Sequence, residues 1–123
     1  MIKNADKIKN IYEMFEYSVK KYSSKKCLGV RPLLGESKTN VNGKVEEKLK
    51  LGNEYVWNTF KEVEERVINI SNGLSLNTTL EERDNVIIYA DTCSEWLITA
   101  LACFRNNYKI ATLYTNLGTD GIR

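Results

Sequence analysis

The chain has 123 residues, of which 42% are hydrophobic and 28% charged, with a formal net charge of +2 at pH 7. That length sets one domain, able to bury roughly two-thirds of the surface its unfolded chain exposes, and the composition excludes collagen-like, low-complexity and disulfide-stapled classes. Near-balanced charge announces no nucleic-acid partner, and the absence of histidine removes Ser-His-Asp and Cys-His nucleophiles, Cys/His zinc sites and any histidine general base.

Residues 1–7 are expected to form a disordered tail. Met1 to Asn10 alternates Lys and Asn with isolated Ile residues and lacks the apolar run of a signal peptide. Ile8, Ile11, Tyr12, Phe15, Val19 and Tyr22 recur at three- and four-residue steps, which predicts an amphipathic helix over Ile8 to Lys21. Residues 1–26 hold seven lysines against three acids, a balance of +4, which leaves −2 for the remainder. Such a basic helix suits an anionic membrane surface, although a solvated face is the plainer reading. Cys27 to Arg31 reads as a short strand stopped by Pro32. Gly35 to Lys44 is a polar stretch in which Asn42-Gly43 signals a two-residue turn. Lys48 to Leu51 and Tyr55 to Trp57 read as strand pieces around Gly52-Asn53, so this region is expected to be an antiparallel hairpin excursion.

Thr59-Phe-Lys-Glu62 matches a capping box. It opens a helix with Phe60, Val63, Val67, Ile70 and Leu74 on one face, expected to end near Gly73. Leu76 to Asp84 is a polar connection. Asn85 to Ala90 is a near-continuous apolar run, as in a strand buried on both faces. Thr92 with Glu95 predicts a second capping box, heading a helix from Cys93 to Asn106. Lys109 to Tyr114 is a second strand. Strand, helix, strand in about 30 residues predicts a parallel βαβ unit with a right-handed crossover. The fold class is therefore α/β: an N-terminal helix, an antiparallel hairpin region, a helix, then the parallel βαβ unit.

Chemistry is sparse. Neither G-x-x-x-x-G-K-[ST] nor G-x-G-x-x-G occurs, and Gly118-Thr-Asp-Gly121 lacks the lysine and helix of a phosphate loop. Ligands of open α/β sheets sit beyond the carboxyl ends of the strands, where Asp91-Thr92 and Thr115-Asn116 fall, but helix capping accounts for the first pair. Cys27, Cys93 and Cys103 are odd in number with no C-x-x-C pair, so they point to a reducing compartment and read as small buried apolar residues. Asn69-Ile-Ser71 and Asn77-Thr-Thr79 match the glycosylation sequon incidentally, and Glu81-Glu82-Arg83-Asp84 reads as an exposed loop. Trp57, Trp96 and the seven tyrosines show no interleaving with a basic stripe, so no base-stacking surface is expected. The longest uncharged apolar run, Trp96 to Phe104, is about half of the roughly 20 residues of a membrane helix. On the residues alone, none is assigned a catalytic, cofactor-binding or metal role.

Tyr12-Glu-Met-Phe-Glu-Tyr-Ser-Val-Lys-Lys-Tyr22, Asn42-Gly-Lys44 through Tyr55-Val-Trp57, and above all Asp91-Thr-Cys-Ser-Glu-Trp96 with Ala100-Leu-Ala-Cys-Phe104 and Thr112-Leu-Tyr114-Thr-Asn-Leu-Gly118 resemble the N-terminal region of long-chain acyl-CoA synthetases, the fatty-acid members of the AMP-forming ligases. The resemblance implies ATP- and Mg²⁺-dependent conversion of a fatty acid to an acyl-adenylate with loss of pyrophosphate. Displacement of AMP by coenzyme A would follow. That family's Ser/Thr/Gly-rich phosphate loop, adenine-contacting set, acyl tunnel and C-terminal lysine have no counterpart between Met1 and Arg123. Residues 8–123 are thus expected to be an incomplete piece of the large N-terminal, AMP-binding domain, truncated before the phosphate-loop motif and inactive alone. The alternative is a non-catalytic interaction module, or a pseudogene-like product, that binds a full-length synthetase. The resemblance also implies fatty acid, ATP and CoA as partners. It implies an intracellular place, in the cytoplasm or on the cytosolic face of the endoplasmic reticulum or another membrane, with peripheral membrane association through the rest of the protein.

Overall fold

Residues 8–41 and 43–117 are described by the structure, a computed structural model. The tail expected at 1–7, Asn42 of the turn pair and the Gly118 to Gly121 segment lie outside the described residues. Helix α1 spans Ile11–Tyr22. It starts later than the apolar period predicts because Asn10 is its N-cap, its Oδ1 accepting the Glu13 N–H at 2.8 Å. The Glu13 carboxylate in turn takes the N–H of Lys9, just ahead of the cap, at 2.7 Å, so one orphan helix amide is satisfied and the chain entering the helix is fixed.

Strands β1 (Lys26–Val30) and β4 (Val56–Thr59) pair antiparallel, with Lys26 opposite Thr59 and Val30 opposite Val56. Between them β2 (Leu33–Val41) and β3 (Lys44–Leu51) form a separate antiparallel hairpin. The polar stretch after Gly35 is therefore a strand. Periodicity misses it because both faces meet solvent, with Leu34 63% and Leu49 61% exposed, so ladder hydrogen bonds rather than burial hold the pair. The strand pieces flanking Gly52-Asn53 do not pair with each other; β3 turns back on β2, and β4 finds β1. The hairpin base is closed by the Gly52 N–H donating to the Pro32 carbonyl at 2.8 Å and by Arg31 Nε donating to the Gly52 carbonyl at 2.7 Å.

Helix α2 spans Phe60–Asn77 behind the expected capping box: Thr59 Oγ1 accepts the Glu62 N–H, and the Glu62 carboxylate accepts the Thr59 N–H at 2.7 Å. It does not stop at Gly73. Asn77 Nδ2 donates to the Gly73 carbonyl at 2.9 Å, and Ser75 and Thr78 hydroxyls donate to the carbonyls of Ser71 and Leu74, additional bonds on a backbone ladder that runs through the glycine to Asn77. The core forms where Phe15 and Val19 of α1, Val63 and Val67 of α2, and Ile98, Leu101 and Ala102 of the third helix meet, with Cys27 and Leu28 of β1 against them. Each fully buried aliphatic side chain there contributes about 1.5–3 kcal/mol.

Strand β5 (Asn85–Tyr89), helix α3 (Ser94–Arg105) and strand β6 (Lys109–Leu113) make the βαβ unit, and β5 and β6 are parallel from Asn85 opposite Lys109 to Tyr89 opposite Leu113. The expectation that β5 is buried on both faces is corrected. Ile88 is buried, whereas Ile87 is 62% and Tyr89 51% exposed. Alternate side chains point to opposite faces, and α3 covers one face only. The polar connection holds a turn in which the Asp84 carboxylate accepts the Glu81 N–H at 2.9 Å and Arg83 adopts a positive φ, as does Asn107 in the turn between α3 and β6.

Candidate functional site

The carboxyl ends of β5 and β6 and the N-terminus of α3 converge on one edge of the molecule. This is where an open parallel sheet offers strand ends and helix amides to a ligand. A cleft of about 250 Å³ lies there, lined by Asp91, Thr92, Trp96, Thr112 and Tyr114 among others. A second, of about 470 Å³, lies between β1 and the start of α3 and shares Thr92 and Trp96 with the first.

Asp91 and Thr115, two of the four strand-end residues singled out from the sequence, are brought together: the Thr115 hydroxyl donates to Asp91 Oδ1. The Tyr89 hydroxyl donates to the Thr115 carbonyl at 3.0 Å, so the segment after β6 is fastened to both ends of the β5 exit. Asp91 therefore links two strands and does not cap a helix. Thr92 does not cap either. The N-cap of α3 is Cys93, which makes no side-chain capping bond, and Cys93 is exposed rather than buried, since a cap residue stands outside the helix and its packing.

Glu95, expected as the reciprocal partner of Thr92, bonds elsewhere. Arg66 Nη2 of α2 donates to its Oε1 at 3.0 Å, and the Ser94 hydroxyl donates to Oε2 at 2.8 Å. The Arg66 guanidinium, then Ser94, hold the Glu95 carboxyl down to about 2. A negative charge in the first turn also favours the helix dipole, so Glu95 orients the start of α3 against α2. The other candidates fall to structural duty. Ser71 of the first sequon is fully buried, and Asn77 of the second is bonded to Gly73. Glu82 accepts from Asn107, and among the described residues no cluster of three acidic or thiol groups is placed to hold a metal.

These donors do not fit a nucleoside triphosphate with its cation. Asp91 Oδ1 already accepts from Thr115, and the β5 exit runs Ala90-Asp91-Thr92 with no glycine to let phosphate approach the backbone. What the site shares with known proteins is its frame. The A-PCP didomain of the carboxylic acid reductase from Segniliparus rugosus, in complex with AMP, matches with a TM-score of 0.74 at 15% identity over 96% of this chain and 16% of that one. The N-terminal subdomain of Klebsiella oxytoca NpsA matches at 0.69 and 16% identity over 93% of this chain and 24% of that one. The fold is that of the N-terminal subdomain of adenylation domains. The AMP-binding enzyme family matches residues 38–123, and the chain belongs to it. It is 41% identical over 110 residues to long chain acyl-CoA synthetase 8 of Arabidopsis thaliana, which covers 89% of this chain and 15% of that protein. It is 27% identical over 129 residues to long-chain-fatty-acid–CoA ligase 1 of Schizosaccharomyces pombe, which covers 96% and 19%. The chain thus spans less than a fifth of the length of these relatives.

Proposed function

We propose that the chain serves in a long-chain fatty-acid–CoA ligase, inside the cell, as a piece of scaffold rather than of catalytic machinery. The observation that supports this reading is the similarity to long chain acyl-CoA synthetase 8 across 89% of the chain. In the proposed reaction a fatty acid and ATP give an acyl-adenylate and pyrophosphate. The thiol of coenzyme A then displaces AMP, leaving acyl-CoA. ATP, Mg²⁺ and CoA would be held by residues outside this chain, because neither G-x-x-x-x-G-K-[ST] nor G-x-G-x-x-G occurs in it. The part of this segment is to hold the βαβ unit against α1 and α2 and so set one wall of the domain.

Exchanged for the corresponding segment of the Arabidopsis synthetase, this chain is expected to leave fatty-acid-dependent ATP–pyrophosphate exchange within tenfold of the parent, a shift of about 1.4 kcal/mol in barrier. The chain alone is expected to give no exchange. A folded, inactive chimera would sink the family assignment of function, and exchange by the chain alone would sink the scaffold role.

A further inference from the structure

We infer that the end of α1 and the β1–β4 pair form a basic and aromatic docking surface for an anionic lipid bilayer. Along the chain the residues concerned lie in two groups, Lys20 to Lys26 and Tyr55 to Trp57, and strand pairing puts them side by side. The Lys21 ammonium stands 5.2 Å from the Tyr22 ring, and that ring is 6.1 Å from Phe60. The Phe60 N–H donates to the Lys25 carbonyl at 3.1 Å. The Lys26 ammonium stands 5.4 Å from the Trp57 ring, which is 5.6 Å from Tyr55.

Three observations select the partner. Lys20, Lys21, Lys25 and Lys26 are all exposed. Among the described residues the ion pairs are Lys38–Glu47 and Arg66–Glu95, neither of which takes a lysine of this surface. Of the acids on the adjoining segments, Glu62 is turned back on Thr59, Glu16 lies one turn before Lys20 on α1 and Glu54 is exposed beside Tyr55, so the four lysines outnumber them and the surface is complementary to an anionic leaflet. The aromatic side chains are themselves open to solvent, Tyr55 at 53% and Trp57 at 43% exposure. Amphipathic rings beside lysines are the composition of a membrane interface. A nucleic acid would need an open ring face for stacking, whereas the Trp57 ring packs against Gly29, where even a Cβ would come within 2.9 Å.

Cosedimentation of the 123-residue chain with phosphatidylcholine vesicles containing phosphatidylserine, against pure phosphatidylcholine, tests this. Binding is expected only to the anionic vesicles and to fall steeply as salt is raised. Lys21→Gln with Lys25→Gln is expected to weaken it about 25-fold, about fivefold per lysine, with circular dichroism unchanged. In a Trp96→Phe background, brominated lipid is expected to quench Trp57. Equal binding to neutral vesicles, salt-insensitive binding, or full affinity in the double variant would overturn the proposal. So would tighter binding to a single-stranded RNA 20-mer than to the vesicles.

Discussion

Ser71 in the middle of α2 and Asn106 at the C-cap of α3 bond each other twice: the Ser71 hydroxyl donates to Asn106 Oδ1, and Asn106 Nδ2 donates to the Ser71 carbonyl at 2.8 Å. Arg105 Nη1 donates to the same hydroxyl at 2.7 Å, and Asn106 Nδ2 also reaches Ser75. Ser71 is fully buried, and among the described residues no buried side-chain polar atom lacks a partner. A buried polar group is tolerated only when satisfied, so this network fixes the crossing of two core helices at one point. Truncating Ser71 to Ala deprives Asn106 Oδ1 of its donor, whereas exposed Arg105 keeps Asn72 and solvent. The expected cost is about 1–3 kcal/mol, read as a lower denaturant midpoint at unchanged slope. An unaltered midpoint would show the network to be dispensable.

At the other end of α3, Glu95 carries a pH dependence. The Arg66 guanidinium holds the folded Glu95 carboxyl down to about 2, against an ordinary 4.5. A depressed folded value stabilises the protein above the unfolded pKa, and that contribution fades as pH falls from about 4.5 through about 2. Glu62 is lowered in the same direction by the Thr59 N–H. Glu95→Gln is therefore expected to be less stable at pH 7 and to converge with the parent near pH 2. The side chain is 61% exposed, so screening keeps the gap within about 1 kcal/mol. Urea melts at several pH values check it, and a gap that widens in acid would refute the assignment.

Gly29 is required by contact rather than by φ. A Cβ there would lie 2.9 Å from two atoms of the Trp57 ring. Gly29→Ala is expected to displace the indole and cost about 1–3 kcal/mol. Trp57 emission, isolated by Trp96→Phe, should change with it. Unchanged emission and stability would mean that the ring yields freely.

The three thiols should react in sequence. Cys93 is exposed, Cys27 half-buried and Cys103 fully buried, and burial pushes the Cys27 and Cys103 thiols up. One equivalent of a maleimide is expected to couple quickly at Cys93, with Cys103 labelled only after unfolding. Fast labelling of Cys103 in the native protein would contradict the packing of α3.

Much of the candidate site was legible in the residues: Asp91 and Thr115 were placed at the strand ends by the βαβ pattern alone. Their bond to each other was not, and neither was the loss of Thr92 as a cap. A Thr three residues before a Glu satisfies the capping pattern at both Thr59 and Thr92, but only at Thr59 does the Glu turn back. At Thr92 it meets Arg66, 29 residues earlier in the chain, a competitor that no local pattern contains.

The sequence by itself determined the three helices, the parallel βαβ unit and the capping box at Thr59, because helical periodicity, strand runs and caps act over a few residues. Tertiary structure decided the rest. It paired β1 with β4 around an intervening hairpin, put Lys26 beside Trp57, gave Glu95 to Arg66 and left Ile87 and Tyr89 on an uncovered face. Each of these depends on which groups compete for one position in space, and those groups are brought there from distant parts of the chain by burial of the shared core.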